Sequence, residues 1–255
     1  MRIPYRLIYY WGCLRNTSDL KAAAAFLFSW RLPISLGARV RFLRDIYRIS
    51  RFAYCPHTQA EILAITTTLV SMPRTARGCV VEAGCFKGGS TAKLSLAAKL
   101  ANRELVAFDS FEGLPENDEC HGSSIFGEIP DFSKGRYLGT LDEVKSNVAS
   151  HGDISRCQFI KGWFDETMPL FKQPVAVAFL DVDLASSTRT ALANLYPLVA
   201  PGGTIFSQDG HLPLVIDVLN DDQFWQREVH CSKPLMEGLG THKLVGIRKD
   251  YASKS

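Results

Sequence analysis

The sequence predicts a doubly wound α/β fold with a mostly parallel sheet, preceded by helices at the N-terminus. Three observations predict it. Helical and strand patterns alternate from residue 52 onward, and an apolar strand at Cys79–Ala83 runs into a glycine turn and a helix start. The strand-end acids Glu82 and Asp109 stand 27 residues apart, the spacing of a β-α-β unit. With 255 residues, 46% hydrophobic and 22% charged, the chain holds one sizeable core and falls short of two full domains.

The N-terminal segment differs in charge. Residues 1–51 hold ten cations (Arg2, Arg6, Arg15, Lys21, Arg31, Arg39, Arg41, Arg44, Arg48 and Arg51) against Asp19 and Asp45, a local net of +8 in a chain of +3. Residues 1–54 therefore read as a basic, largely helical extension and residues 55–255 as the catalytic domain. Aromatic residues (Tyr5, Tyr9, Tyr10, Trp11, Phe26, Phe28, Trp30, Phe42) interleave with the cations. The pattern fits a basic lid, an arm that would make a homo-oligomer, or weak contact with an anionic membrane surface. The simpler reading is helices packed on the core with arginines in water. No nucleic-acid partner is expected. The apolar run 22–30 is too short to span a bilayer. Seven cysteines, an odd number without C-x-x-C pairs, indicate neither a disulfide framework nor a zinc cluster, and a cytoplasmic location is expected.

Each later element has its own signal. Residues 56–71 carry Ile62, Leu63, Ile65 and Leu69 at helical spacing, and Pro73 begins a break before Cys79–Ala83. A helix over 89–101 follows, with Ser90 or Thr91 placed to cap its first turn. The strand 105–108 ends at Asp109, and residues 111–139 show little periodicity among their glycines and prolines. So long a loop in a compact domain reads as a substrate-covering insertion. A helix at 140–150, a strand at 158–161 and a turn at 162–169 come next. The strand 175–184 is apolar enough to be central and ends in Asp181-Val182-Asp183. A helix at 186–198, the turn Pro201-Gly202-Gly203 and a strand at 204–207 lead to Gln208-Asp209-Gly210-His211.

Two constellations carry chemistry. In the first, the turn from Glu82 to Thr91 lets the backbone approach a ligand and offers the free N–H groups of a helix start. It lacks the early second glycine of G-x-G-x-x-G, and Phe86 occupies the turn. The strand-end acid Glu82 suits a cationic ligand end better than a pyrophosphate. S-adenosylmethionine, with its sulfonium and ammonium, matches this, and a nicotinamide dinucleotide is the alternative. Around it the pattern places Glu82, Gly84, Phe86, Ser90 and Thr91, with Asp109 and Ser110 at the ribose. Gly162 and Trp163 stand where adenine is held, and Trp163 or Phe164 either stacks there or joins the core. In the second constellation, strand alternation sends Asp181 and Asp183 to one side. There they repel unless a cation or a proton lies between them, so a divalent metal, an acid/base pair, or both account for them. Asp209 and His211 reach the same sheet edge, unless Asp183 merely caps the next helix and His211 is surface.

Taken together, these residues carry a family resemblance. Val81-Glu82-Ala83-Gly84 with Lys87-Gly88-Gly89-Ser90, Asp109-Ser110-Phe111-Glu112-Gly113-Leu114-Pro115, and Leu180-Asp181-Val182-Asp183-Leu184 with Ser187-Thr188 stand in order. With Leu195-Tyr196-Pro197 and Pro201-Gly202-Gly203, the chain resembles the macrocin, mycinamicin and novobiocin class of sugar O-methyltransferases over residues 55–248. The resemblance implies a Rossmann-like class I methyltransferase sheet with an antiparallel C-terminal strand. It also implies S-adenosylmethionine as methyl donor, Mg²⁺ assistance and a sugar or glycoside hydroxyl as acceptor. By it, Asp181 is a metal ligand that also borders the cofactor, Asp183 the general base and Asp209 a second ligand. Gln208 stands where the family has an acid, and its amide oxygen is a weaker donor to a hard cation. His211 is close enough in sequence to compensate as ligand or base. Gln208 and the basic extension also fit a non-catalytic S-adenosylmethionine-binding or scaffold protein.

Overall fold

The computed structural model describes residues 16–250 except Arg74. The cations and aromatics expected to act at Arg2, Tyr5, Arg6, Tyr9, Tyr10, Trp11 and Arg15, and Cys13, lie outside the described residues. Seven strands form one sheet: β1 (Cys79–Ala83), β2 (Leu105–Asp109), β3 (Cys157–Lys161), β4 (Val175–Leu180), β5 (Val199–Ser207), β6 (Met236–Glu237) and β7 (Val245–Arg248). Their order is β3-β2-β1-β4-β5-β7-β6. The first five are parallel, β7 runs antiparallel to β5, and β6 antiparallel to β7. Chain order reverses between β1 and β4, and such a switch point opens a crevice at the carboxyl ends of the strands.

Helices cover both faces: α1 (Thr17–Phe28), α2 (Leu36–Ile49), α3 (Gln59–Ser71), α4 (Gly89–Leu100), α5 (Leu141–His151), α6 (Phe164–Thr167), α7 (Ala185–Leu195), α8 (Pro213–Asn220) and α9 (Asp222–Arg227). Alternation along β1 divides the core. Cys79, Val81 and Ala83 pack with Leu192, Leu195, Val215 and Trp225 of α7, α8 and α9. Val80 faces the other way, into a cluster with Ile62 and Ile65 of α3 and Leu94 of α4. Every residue of β1 and β4 is buried, which is why both read as unbroken apolar runs.

The N-terminal helices share that second cluster, contributing Phe26 of α1 and Phe42, Leu43 and Ile46 of α2. Not all their arginines lie in water. Arg39 is buried and donates to the carbonyls of Leu27, Ser29, Leu32 and Ile34, closing the turn between α1 and α2. Asp19 is buried as well, and its Oδ1 accepts from the Ala60 amide at 2.8 Å, tying α1 to the first turn of α3. That turn begins at Gln59 rather than residue 56, because Thr58 and Glu61 form a reciprocal capping box there. Among the described residues, no helix is long and apolar enough to cross a membrane, and all six described cysteines are free.

Candidate active site

The turn after β1 is shaped by a close approach. Asp181 donates its amide to the Ala83 carbonyl at 2.9 Å, and a Cβ on Gly84 would collide with the Asp181 carbonyl oxygen. With φ at 86°, position 84 favours glycine on both counts. The helix that follows is not capped by Ser90 or Thr91 as the sequence suggested. Gly88, with φ at 78°, is the N-cap, and both hydroxyl residues lie buried within α4. Asp109 secures the same turn from β2: Oδ2 accepts from the Cys85 amide at 2.6 Å and Oδ1 from the Phe111 amide at 2.7 Å. Burial raises its carboxyl while these amides oppose the rise.

Glu82 is fully buried and shares the α4 side of β1 with Val80. Neither carboxylate oxygen meets a partner at hydrogen-bonding geometry, and the Thr91 hydroxyl is likewise unmatched. Burial pushes the Glu82 carboxyl up to about 7, only partly countered by the nearby Ser90 and Thr91 hydroxyls.

The acids of the second constellation converge, but not by strand alternation. β4 stops at Leu180, and Asp183 adopts a φ of 61°, a left-handed conformation no strand accommodates. Asp209 holds that turn, its Oδ2 accepting from the amides of Val182 at 3.1 Å and Asp183 at 3.0 Å. Oxygens of Asp181, Asp183 and Asp209 thereby lie within 4.8 Å of one another. Burial, then repulsion from Asp209 and Asp181, lifts the Asp183 carboxyl well above the usual carboxylate range. Burial and Asp181 raise Asp209 to about 7 against its two amide donors.

His57, from the loop before α3, completes this edge. Its Nε2 lies 3.2 Å from Asp181 Oδ2. Burial alone would lower the imidazole, but the charge and hydrogen bond of Asp181, with smaller help from Cys55 and Glu61, raise it to about 9. Gln208 is also buried; Nε2 donates to Glu61 Oε1 at 3.1 Å, and Oε1 has no partner. His211 stands outside the three-acid group. It stacks with Phe126 at 6.0 Å, and burial followed by the charge of Lys243 lowers its imidazole.

The turn after β1, Asp109, His57 and the acid cluster border one cavity of about 1360 Å³, large enough for two small molecules side by side. Its wall takes in Gly84, Phe86, Asp109, Ser110, Gly162 and Trp163 on one side, and His57, Asp181, Asp183, Gln208, Asp209 and His211 on the other. Of the anticipated cofactor residues, Glu82, Ser90 and Thr91 do not line it. Residues 111–139 contain no helix or strand, and Ser124, Pro130, Phe132 and Tyr137 from this segment roof the cavity. The segment is nonetheless fastened: the Leu114 amide donates to the Arg136 carbonyl, the Gly135 amide to the Leu114 carbonyl, and the Ile125 amide to the His211 carbonyl at 3.0 Å. His57, Glu119 and Tyr137 escaped the sequence reading. A lone histidine before a helix carries no local pattern, and its partner Asp181 is far along the chain.

The model of the macrocin O-methyltransferase (TylF) family matches residues 59–235. An 8-demethyl-8-(2,3-dimethoxy-alpha-L-rhamnosyl)-tetracenomycin-C 4'-O-methyltransferase of Streptomyces olivaceus is 33% identical over 171 residues, 64% of either chain. The demethyldecarbamoylnovobiocin O-methyltransferase of Streptomyces niveus is 30% identical over 138 residues, 52% of either chain. The matched region thus spans less than two thirds of these relatives' length. In fold, the chain is similar to the solved O-methyltransferase NovP, with a TM-score of 0.61 at 20% identity over 92% of this chain and 100% of that one. From its strand-end acids to its seven-stranded sheet, the chain belongs to the macrocin O-methyltransferase family.

Proposed function

We propose that this chain transfers the methyl group of S-adenosylmethionine to a hydroxyl of a sugar or glycosylated metabolite. The observation that carries the reading is the convergence of Asp181, Asp183 and Asp209 within 4.8 Å on the wall of the switch-point cavity. Family membership supports it, as do relatives whose names are those of O-methyltransferases of a rhamnosyl-tetracenomycin and of a novobiocin precursor. Residues 55–255 carry the chemistry in this reading, and Phe26, Phe42, Leu43 and Ile46 of the N-terminal helices complete the core beside it.

The cavity wall around Gly84 fits the cofactor. A bare glycine backbone, the Asp109 and Ser110 loop and the Trp163 ring offer close approach, ribose acceptors and a stacking face. Asp109 keeps a second lone pair on each oxygen after its two amide bonds. Buried Glu82, Ser90 and Thr91 support this wall from behind. S-adenosylmethionine, when bound, supplies an electrophilic methyl on sulfur.

The acid cluster likewise fits a hard divalent cation: three carboxylates converge, and Gln208 Oε1 is buried without a partner. Asp181, Asp209 and Gln208 would hold Mg²⁺, which when bound supplies positive charge that eases loss of the acceptor proton. Asp183 is the general base. Its raised proton affinity suits it to take the hydroxyl proton as the oxygen attacks. His57 holds Asp181 in place, His211 borders the acceptor side, and the 111–139 segment excludes water and keeps donor and acceptor in line.

Calorimetry with S-adenosylhomocysteine and with NAD tests the cofactor, and radiolabelled methyl transfer to methyl α-L-rhamnopyranoside and larger rhamnosides tests the acceptor class. Binding of the former alone, with label incorporated into a glycoside, is the expected result. NAD binding, or tight S-adenosylhomocysteine binding without transfer to any sugar hydroxyl, contradicts it.

A further inference from the structure

The roofing segment reaches the catalytic edge through one carboxylate. Glu119 Oε2 accepts from the Ala185 amide at 2.8 Å, while Oε1 accepts from the Ser186 amide at 2.8 Å and the Ser186 hydroxyl at 2.6 Å. His121 Nε2 donates to Glu119 Oε2 at 3.0 Å, and its ring packs edge-on against Phe132 at 4.7 Å. α7 has no cap from its own chain neighbourhood, because its N-cap position is Leu184. A side chain 66 residues upstream does that work instead. The charge is well satisfied: burial would raise the Glu119 carboxyl, but Ser186, Ala185 and His121 together hold it below the usual range.

What lies between matters more than the cap itself. Asp183 sits two residues before Ala185, in its left-handed conformation. On its upstream side, the amides of Val182 and Asp183 are held by Asp209; on its downstream side, the amides of Ala185 and Ser186 are held by Glu119. The turn that aims Asp183 is therefore clamped from two carboxylates, one in the turn after β5 and one on the roofing segment. Strained backbone persists only where the surroundings over-determine it.

We propose that Glu119 is a positioning residue, which sets the 181–186 turn so that Asp183 meets Asp181 and Asp209 only while the 111–139 segment is docked. His121 orients the Glu119 carboxylate. Docking of the roof and assembly of the base are then one event, and an uncovered site holds a disordered base. The proposal rests on reading Asp183 as the base, but its primary test needs no acceptor.

That test is amide hydrogen exchange on the full chain with saturating S-adenosylhomocysteine, comparing wild type with Glu119→Gln, Glu119→Ala and His121→Leu. The expected result for Glu119→Ala is exchange faster by on the order of tenfold at Val182 and Asp183 as well as at Ala185 and Ser186, together with faster proteolysis within 111–139. Glu119→Gln, which keeps acceptor oxygen but not charge, falls between, and His121→Leu follows it. Acceleration confined to Ala185 and Ser186 overturns the proposal and leaves Glu119 a simple helix cap. If Glu119→Ala does not fold, the Glu119→Gln and His121→Leu pair decides by the same criterion. Where a glycoside acceptor is turned over, kcat falls and the S-adenosylhomocysteine Kd stays within about twofold; loss of cofactor affinity instead counts against a role at the base.

Discussion

His57 Nε2 lies 3.2 Å from Asp181 Oδ2, so a buried imidazole faces the edge where three carboxylates crowd. The pair sets a pH dependence with a defined sign. His57 is raised from 6.5 to about 9 in the folded chain, so its contribution is complete below the unfolded value and is lost as pH rises through the folded one. Wild type should lose on the order of 3 kcal/mol more stability than His57→Gln across that interval. Thermal melts in the absence of divalent cation, taken from pH 6 to 9.5 on roughly half-unit steps, read the difference. Parallel curves for the two proteins would show that His57 carries no charge in the fold.

Asp183→Asn separates chemistry from structure. Asparagine tolerates the left-handed backbone that Asp183 adopts at φ 61°, and it removes both the cost of burying a charge and the repulsion from Asp209 and Asp181, which together raise the native carboxyl. The variant should fold at least as well as wild type while methyl transfer drops by roughly 10²- to 10⁴-fold, the loss of a general base. S-adenosylhomocysteine affinity should stay nearly intact. Unchanged turnover would remove Asp183 from the base role.

Gln208 bears on the metal. Its Nε2 donates to Glu61 Oε1 at 3.1 Å, while Glu61 Oε2 accepts from Thr58 in the α3 capping box. An acid at 208 would set a carboxylate against Glu61 and add to an edge whose carboxyls are already raised by burial and by one another. Gln208→Glu should therefore cost roughly 1–3 kcal/mol without metal, and Mg²⁺ should restore more stability to the variant than to wild type. Mg²⁺ should also raise the wild-type melting temperature more at pH 8 than at pH 5.5, because protonation of Asp209, whose carboxyl is pushed up to about 7, removes charge a cation would neutralise. EDTA-treated protein whose melting and methyl transfer do not respond to Mg²⁺ would assign the acids to proton chemistry alone.

The sheet was legible because β1 and β4, buried on both faces, leave unbroken apolar runs, and because Glu82 and Asp109 mark successive strand ends. The acid cluster was legible in membership but not in cause. Asp181 and Asp183 meet because the chain turns through a left-handed residue pinned by Asp209, and no residue pattern announces such a conformation at an aspartate. Contacts between distant segments left still less trace. Glu119 and Ser186 are 67 residues apart, and Gln208 and Glu61 are 147 apart. Gly88 took the capping place assigned to Ser90 or Thr91, since its positive φ ends the turn without a side-chain bond.

The N-terminal helices leave a charged face whose partner can be tested. Lys21, Arg31, Arg41, Arg44 and Arg48 are exposed, beside Phe28 at 79% and Trp30 at 85% exposure. Of these five cations only Arg44 has an ion-pair partner among the described residues, Asp45 at 3.0 Å. Opposite charge would draw such a face to anionic lipid, with the attraction screened beyond about 8 Å at physiological salt. Sedimentation with phosphatidylglycerol vesicles should therefore be weak at that salt, stronger at low salt, and absent with phosphatidylcholine alone. Deleting residues 1–51 is the wrong control, because Phe26, Phe42 and Ile46 belong to the same core as α3 and β1. Reversing charge with Arg41→Glu, Arg44→Glu and Arg48→Glu leaves those contacts in place and should abolish the low-salt binding; binding that survives the reversal would mean that charge on this face does not drive it.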